Sequence, residues 1–208
     1  ANNLANATTT GFKRSESTAS PFGSMLLHNM GMPFRPQVGE LEMGAQVKGI
    51  TMIDSQGPLR FTGNKLDAAL IGTGHFTIDA PNGRRYTRDG SFGMDSTGTL
   101  VTKEGYPVLG TNGRITLSAG EVRIGADGTV TQGAAVRGRL LLTALDPTTI
   151  TQEGEGLLTG TPKGTADARV RQNHLEGSTV NVVSEMVDLI RVMRSFEANQ
   201  KSVQAHDE

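Results

Sequence analysis

Between residues 82 and 128 six turn-forming dipeptides recur: Asn82-Gly83, Asp89-Gly90, Thr97-Gly98, Glu104-Gly105, Asn112-Gly113 and Asp127-Gly128. The first five follow one another at intervals of seven or eight residues. That is too short for ordinary helices and suits short strands. Asn-Gly and Asp-Gly favour two adjacent positions of positive φ, so type I′ hairpin turns are expected. Strands are expected at Leu66–Ile71, His75–Asp79, Arg84–Arg88, Thr99–Thr102, Glu121–Ile124 and Val136–Leu145. Phe76 and Ile78 alternate with Thr77 and Asp79, the pattern of one buried and one wet face. The 27 glycines among 208 residues agree with many turns. No crossover-helix text separates the strands, so an antiparallel sandwich-like or barrel-like β-domain is expected from about Val38 to Thr165.

After Asp167 the pattern changes. Val182, Met186, Leu189, Met193, Phe196, Gln200 and Val203 alternate at spacings of four and three, an a/d seam of period 3.5. Asn181 is a suitable N-cap, and Glu185 and Asp188 lie near the positive end of the helix dipole. The helix would run roughly 33 Å. Val183, Val187 and Ile190 widen its apolar surface, so it needs more than one neighbour.

The chain opens at Ala1 inside a polar repeat and without an initiator Met. Asn2, Asn3, Leu4 and Asn6 read as the remnant of a truncated N-terminal helix, with Gly11 as its left-handed cap. So short a piece cannot cover the seam. The partner surface is expected from missing N-terminal residues, from other subunits, or from both. Ser15 to Pro36 is rich in Ser, Gly, Met and Pro and reads as a mobile or partner-ordered connection, with Met25, Met30 and Met32 as adaptable packing residues. The expected fold is mainly β: a central antiparallel β-domain, a long C-terminal α-helix and a short N-terminal helix remnant. The expected division is 1–36, 37–168 and 169–208, the last pairing with the first as one discontinuous core domain.

Signs of catalysis are scarce. With no Cys, disulfide frameworks and Cys-based zinc sites are excluded. His28, His75, His174 and His206 share no ligand spacing, so no metal or other cofactor is expected. Gly72-Thr73-Gly74 precedes a strand rather than a helix, which removes a phosphate-binding helix N-terminus. Asp79, Asp89 and Asp95 sit beside turns, where such side chains cap local backbone groups. The segment Tyr86–Phe92 reads as a hairpin with Asp89-Gly90 in the turn. A net charge of −1 gives no electrostatic footprint for nucleic acid. No apolar run reaches the roughly 18 residues of a membrane span, and no cleavable leader is visible.

The terminal motifs carry more information. Ala1-Asn2-Asn3-Leu4-Ala5-Asn6 with Thr9-Thr10-Gly11-Phe12-Lys13 resembles the N-terminal signature of bacterial flagellar rod and hook axial proteins. Glu176–Val183, Glu185-Met186-Val187 and Arg194–Lys201 resemble the matching C-terminal signature. Phe61–Asp67, Tyr86–Phe92 and Leu100-Val101-Thr102 with Gly105–Leu109 are similar to the β-domain of the rod proteins. Tyr106–Gly110 followed by Gly113-Arg114-Ile115 looks most like the proximal rod type, with the distal type second. His75 departs from the resemblance, standing where an aromatic residue is usual.

The resemblance implies a structural subunit rather than an enzyme. Terminal helices would pair into the core of a helical tube that transmits torque from motor to hook, with the β-domain outside. Implied partners are copies of itself, other rod and hook axial proteins, and the flagellar type III export apparatus. Implied too are export without a cleaved signal peptide and a place in the periplasm-spanning rod of the basal body. The expected assembly residues are Asn2, Asn3, Leu4, Asn6, Gly11, Phe12, Val182, Met186, Leu189, Met193, Phe196, Gln200 and Val203. The competing expectation is a β-domain that binds or cleaves cell-wall glycan.

Overall fold

A computed structural model describes residues 2–21, 45–154 and 156–204. Two compact units emerge: Ala1–Arg14 with Asp54–Glu208, and Ser15–Ile53. In the smaller unit β1 (Ser15–Pro21) pairs antiparallel with β2 (Ala45–Met52), from Ser15 opposite Met52 to Pro21 opposite Ala45. The residues 15–21, expected as part of a connection, are therefore a strand. Their Ser-rich text carries little strand signal of its own, and the register comes from a partner far along the chain. Met25, Met30, Met32 and His28 lie outside the described residues, as does His206.

The larger unit opens with α1 (Asn2–Ala5). Then come β3 (Leu59–Phe61), β4 (Ala68–Gly72), β5 (His75–Ala80), β6 (Gly83–Thr87), β7 (Gly93–Met94) and β8 (Leu100–Val101). They continue with β9 (Leu109–Gly110), β10 (Gly113–Arg114), β11 (Val122–Ile124), β12 (Thr129–Gln132), β13 (Ala135–Arg139) and β14 (Leu142–Leu145). The last strands are β15 (Thr151–Gln152), β16 (Leu158–Thr159), β17 (Pro162–Thr165), β18 (Ala168–Gln172) and β19 (His174–Glu176), before α2 (Val182–Gln204). One sheet has the order β15-β16-β6-β5-β14-β17, another β11-β12-β13, and the remaining ladders are two-stranded. All described pairings are antiparallel, as the turn-rich sequence requires. Phe76, Phe92, Leu100, Val108, Ile115, Val130, Leu140 and Val170 fill the core, with Phe76 and Phe92 edge to face at 5.0 Å.

Four local expectations are corrected. Among the described residues Asn173 is the only non-glycine at positive φ, so Asn82, Asn112 and Asp127 do not sit in type I′ turns. Instead a single left-handed glycine follows each turn, Gly83, Gly98, Gly113 and Gly128, and at Asp95 and Asp127 the carboxylate also binds the backbone. Gly98 N–H donates to Asp95 O at 3.0 Å, while the Asp95 carboxylate accepts from Thr97 and Thr99 N–H, both at 2.8 Å. Asp89-Gly90 is not a hairpin turn: Gly90 O accepts from Ala68 N–H at 3.0 Å, and a Cβ on Gly90 would lie 1.6 Å from Ala68 O. The expected strand Val136–Leu145 divides into β13 and β14, because Leu140 bridges to Gly110 and the chain changes sheets there. In β5 Thr77 is as buried as Phe76 and Ile78, since the strand lies inside a six-stranded sheet; Thr77 and Thr143 hydroxyls satisfy each other at 2.8 Å.

Two strands, β18 and β19, also follow Asp167 where only helical text was read. β18 pairs with β4, and β19 with β3. They return the chain across the β-domain and deliver it to the start of α2.

Candidate assembly interface

Helix α2 forms where the seam predicts it. Asn181 caps it, its Oδ1 accepting from Val183 N–H at 3.0 Å and Ser184 N–H at 3.3 Å. Every residue from Val187 to Ser202 is exposed. Val182, Val183, Met186, Val187, Leu189, Ile190, Val192, Met193 and Phe196 expose large apolar side chains, reaching 70% at Val183. Outside α2, the described large apolar side chains exposed on the larger unit are Phe61, Ile71, Met94 and Val136, on four different strands. Water meets an apolar surface this concentrated at a high free-energy cost, the mark of an interaction site. Gln200 is exposed beside it; the side chain of Val203 lies outside the described residues.

Among the described residues the N-terminal segment meets this helix at its root. Asn3 Nδ2 donates to Glu185 Oε2 at 3.2 Å and Arg14 Nε to Glu185 Oε1 at 2.6 Å, and the bond from Arg14 holds the Glu185 carboxyl below its usual range. Asn6 closes on Asn2, its Nδ2 donating to Asn2 O at 3.0 Å, and Thr9 Oγ1 donates to Asn6 Oδ1 at 3.2 Å. The Asn repeat thus caps its own short helix. Leu4 is half-buried and Phe12 is buried. Gly11 has φ 67°, and its N–H donates to Glu176 O at 2.8 Å. Thr179 N–H donates to Phe12 O at 3.1 Å and Arg14 N–H to Thr179 Oγ1 at 2.9 Å. Residues 11–14 therefore run alongside 176–179. The structure brings Asn2, Asn3, Leu4, Asn6, Gly11 and Phe12 to the base of α2, while Met193, Phe196 and Gln200 project beyond them.

Beneath this junction lies a charge cluster that the sequence did not reveal. Lys13 is 1% exposed; its Nζ donates to Glu176 Oε1 at 2.6 Å and to Ser55 O. Glu176 also accepts from Gly57 N–H at 2.7 Å and from Arg88 at 3.1 Å, and Arg88 donates to Gly72 O at 2.8 Å. Asp54 Oδ1 lies 3.8 Å from Lys13, 3.8 Å from Arg88 and 4.0 Å from His75. Two cations and two carboxylates balance. Burial lowers the Lys13 ammonium from its ordinary range against the pull of Glu176. Burial likewise lowers His75 to about 4, opposed by Asp54 and reinforced by Arg88 and Lys13, so the imidazole is neutral at pH 7. His75, expected as an ordinary strand or surface histidine whose departure touches packing, is thus the neutral wall of an ion cluster. His174 packs edge to face on Phe61 at 5.3 Å.

The signal for the cluster was present in the motifs but not in local patterning. Lys13, Arg88 and Glu176 each belong to a separate signature stretch, and only the fold joins them. Among the described residues no group of three or more His, Asp or Glu is placed to hold a metal ion, and no described helix is long and apolar enough to cross a membrane. Of the aspartates expected to cap turns, one reaches further along the chain. Asp79 takes two bonds from Arg114, at 3.1 and 2.6 Å, and Asp89 accepts from Ser91 N–H at 3.0 Å.

Residues 69–132 match the family model of the flagellar hook protein FlgE/F/G D1 domain, and residues 171–208 match that of the flagellar basal body rod FlgEFG protein C-terminal region. The first covers the core strands from β4 to β12, the second the end of β18, then β19 and α2. Over 97% of its length the chain is 37% identical to the flagellar basal-body rod protein FlgF of Caulobacter vibrioides, covering 83% of that protein. It is 34% identical to FlgG of Agrobacterium fabrum and 33% identical to FlgG of Bacillus subtilis, in each case over 100% of this chain and 88% of the relative. With an exposed terminal helix, a β-domain and a junction between them that both align with these relatives, the chain belongs to the flagellar basal-body rod protein family.

Proposed function

We propose that the chain is a structural subunit of the bacterial flagellar rod that polymerises through its terminal helices into a helical tube transmitting torque from motor to hook. The observation carrying this reading is the apolar surface of α2, exposed from Val182 to Phe196 in a single copy. A protein that worked alone would fold this helix onto its own body. One that works as a polymer leaves it for neighbours, which stack by heterologous contacts that do not close. On this reading Asn2, Asn3, Leu4, Asn6, Gly11 and Phe12 set the base of the helical layer. Val182, Met186, Leu189, Met193, Phe196, Gln200 and Val203 line the contact, and segments 1–36 and 169–208 act as one discontinuous core domain. Its neighbours are copies of itself and other rod and hook axial proteins. Its place is the periplasm-spanning rod of the basal body, reached through the flagellar type III apparatus without a cleaved signal peptide. No described residue group favours glycan binding or cleavage, and the family does not favour it either.

The test is complementation of a deletion strain with Leu189→Asp or Phe196→Asp. Loss of rod assembly and swimming is expected, with the β-type circular dichroism of the purified subunit retained. Normal swimming with both variants would refute the reading.

A further inference from the structure

A net charge of −1 conceals an uneven distribution. Strands β4, β18, β11, β12 and β13 together contain five arginines and not one Lys, Asp or Glu. They form one continuous surface. β18 pairs with β4 along one edge. On its other edge Val170 N–H donates to Ala126 O at 2.9 Å, and the Gln172 side chain accepts from Ile124 N–H at 3.1 Å and donates to Val122 O at 3.0 Å, which ties it to β11. β12 and β13 continue from there.

Val122, Ile124, Val130 and Val170 belong to the core on the inner side of this surface. Side chains alternate along a strand, so Arg123, Arg169 and Arg171 stand on the outer side. Arg139, opposite Thr129 in the ladder, stands with them. All four are exposed. Arg137, the extra residue of the bulge in β13, turns instead to Gln132 and Ser118. Elsewhere on the β-domain Arg114 pairs with Asp79, Arg85 with Glu153 and Lys163 with Asp146. Among the described residues no ion pair reaches the four outer arginines; Arg139 Nε donates to Asp127 O at 2.9 Å. Two carboxylates border the surface, where Asp127 and Asp167 line a groove of about 610 Å³ with Arg139 and Arg169. Both oxygens of Asp127 are taken by Thr129, at 3.2 and 2.5 Å. Positive charge therefore prevails.

The composition discriminates between kinds of partner. Surfaces that bind proteins are enriched in Arg, depleted of Lys, Asp and Glu, and hold apolar anchors. Ile71, 42% exposed opposite Arg169, and Val136, 68% exposed opposite Thr131, supply such anchors here. A guanidinium presents a planar fork that takes a carboxylate by two parallel hydrogen bonds. A second copy is poorly matched, because Asp79, Glu121, Asp146 and Glu153 are already paired within the chain.

We propose that the outer side of β4, β18, β11, β12 and β13 docks the acidic surface of a different protein through Arg123, Arg139, Arg169 and Arg171. The proposal goes beyond assembly through α2 and does not depend on it.

Fluorescence anisotropy of labelled poly-L-glutamate with the full chain tests the chemistry. Binding should weaken with added salt. It should fall about tenfold or more in Arg123→Gln/Arg169→Gln/Arg171→Gln. Arg60→Gln/Arg84→Gln/Arg194→Gln changes the net charge equally and should retain it. Equal losses would mean that net charge alone acts, and would overturn the proposal. Tighter binding of polygalacturonate, which carries its carboxylates on a polysaccharide, would overturn it too. So would salt-sensitive self-association of the native chain that the first triple variant abolishes, since that assigns the surface to a second copy. In deletion cells complemented with Arg169→Glu/Arg171→Glu, swimming should fall, and suppressors should replace Asp or Glu by Lys in another protein. Suppressors confined to this chain overturn the proposal. Normal swimming with this variant but not with Leu189→Asp removes the docking surface and leaves the assembly helix standing; normal swimming with both removes both.

Discussion

Lys13 Nζ meets Glu176 Oε1 at 2.6 Å across 163 residues of sequence, and both side chains are sealed from water. The pair joins the end of the N-terminal signature to the last residue of β19, six residues before α2 begins. The ammonium leans on the carboxylate more than the carboxylate leans on it, since Gly57 N–H and Arg88 also donate to Glu176.

Removing the carboxylate should therefore cost more than removing the amine. Glu176→Ala leaves Lys13 and Arg88 buried with only Asp54 nearby and should destabilise the subunit by about 3–5 kcal/mol. Lys13→Met leaves Glu176 still bonded to Arg88 and Gly57, and the loss should be smaller, about 1–3 kcal/mol. Urea denaturation followed by circular dichroism orders the two; a larger loss for Lys13→Met would contradict this account of the cluster.

His75 makes the cluster sensitive to acid. Its folded pKa, about 4, lies below the ordinary value of 6.5, so between these limits the unfolded chain binds a proton that the native chain refuses. Stability above pH 6.5 is unaffected by this group, falls as pH drops from 6.5 to about 4, and levels below that, a total of about 3 kcal/mol. The imidazole faces Asp54, Arg88 and Lys13, and a proton would add a third cation to two carboxylates. Replacing His75 by Phe should flatten this part of the pH profile. Thermal melts of both proteins at pH 5 and 7.5 compare the slopes directly, and identical slopes would discount the histidine.

Gly11 has neither the conformation nor the space for a side chain. Its φ is 67°, and a Cβ would fall 2.4 Å from Asp89 N and 2.5 Å from the Arg88 carbonyl carbon, both backbone atoms that cannot swing away. Gly11→Ala should detach the N-terminal segment at a cost of about 2–4 kcal/mol. Hydrogen exchange should then accelerate at Gly11 and Thr179, whose amides bond to Glu176 O and Phe12 O. Unchanged protection at both amides would show that the backbone accommodates the methyl group.

Asn181 holds the first turn of a helix that gains little from packing in a single copy. Asn181→Ala should cost about 1 kcal/mol and Asn181→Gly only a few tenths. Since an exposed helix of this length is only marginally stable, the loss should appear as lower ellipticity at 222 nm rather than as a lower melting temperature of the β-domain. Equal ellipticity for the Ala variant would mean that Arg14 and Asn3, acting through Glu185, suffice to start the helix.

What could be read from the sequence was whatever depends on near neighbours. The period of α2, its Asn181 cap and the antiparallel class of the sheets all follow from spacings of a few residues. Most of the turns were placed correctly, Asp89-Gly90 excepted, yet their type was not. Asp95 and Asp127 bind backbone amides two residues ahead, which favours one left-handed glycine over two adjacent positions of positive φ. Strands β18 and β19 were missed because Arg169 and Arg171 interrupt the apolar text; only pairing with β4 and β3 makes a sheet of them. Within the candidate interface the exposed face was visible from the start. The cluster of Lys13, Asp54, His75, Arg88 and Glu176 was not, because no local pattern distinguishes a charge destined for burial from one destined for water.

Asp54 and Ser55 contact the same ammonium as Glu176, so the chain entering the Ser15–Ile53 unit at Lys13 and the chain leaving it at Asp54 are pinned side by side. A segment held at both ends in this way is an insertion in the topological sense. It can grow, shrink or be exchanged without altering the register of a single strand in the larger unit. A change of length within residues 15–53 would leave the anchor that joins head to tail in place.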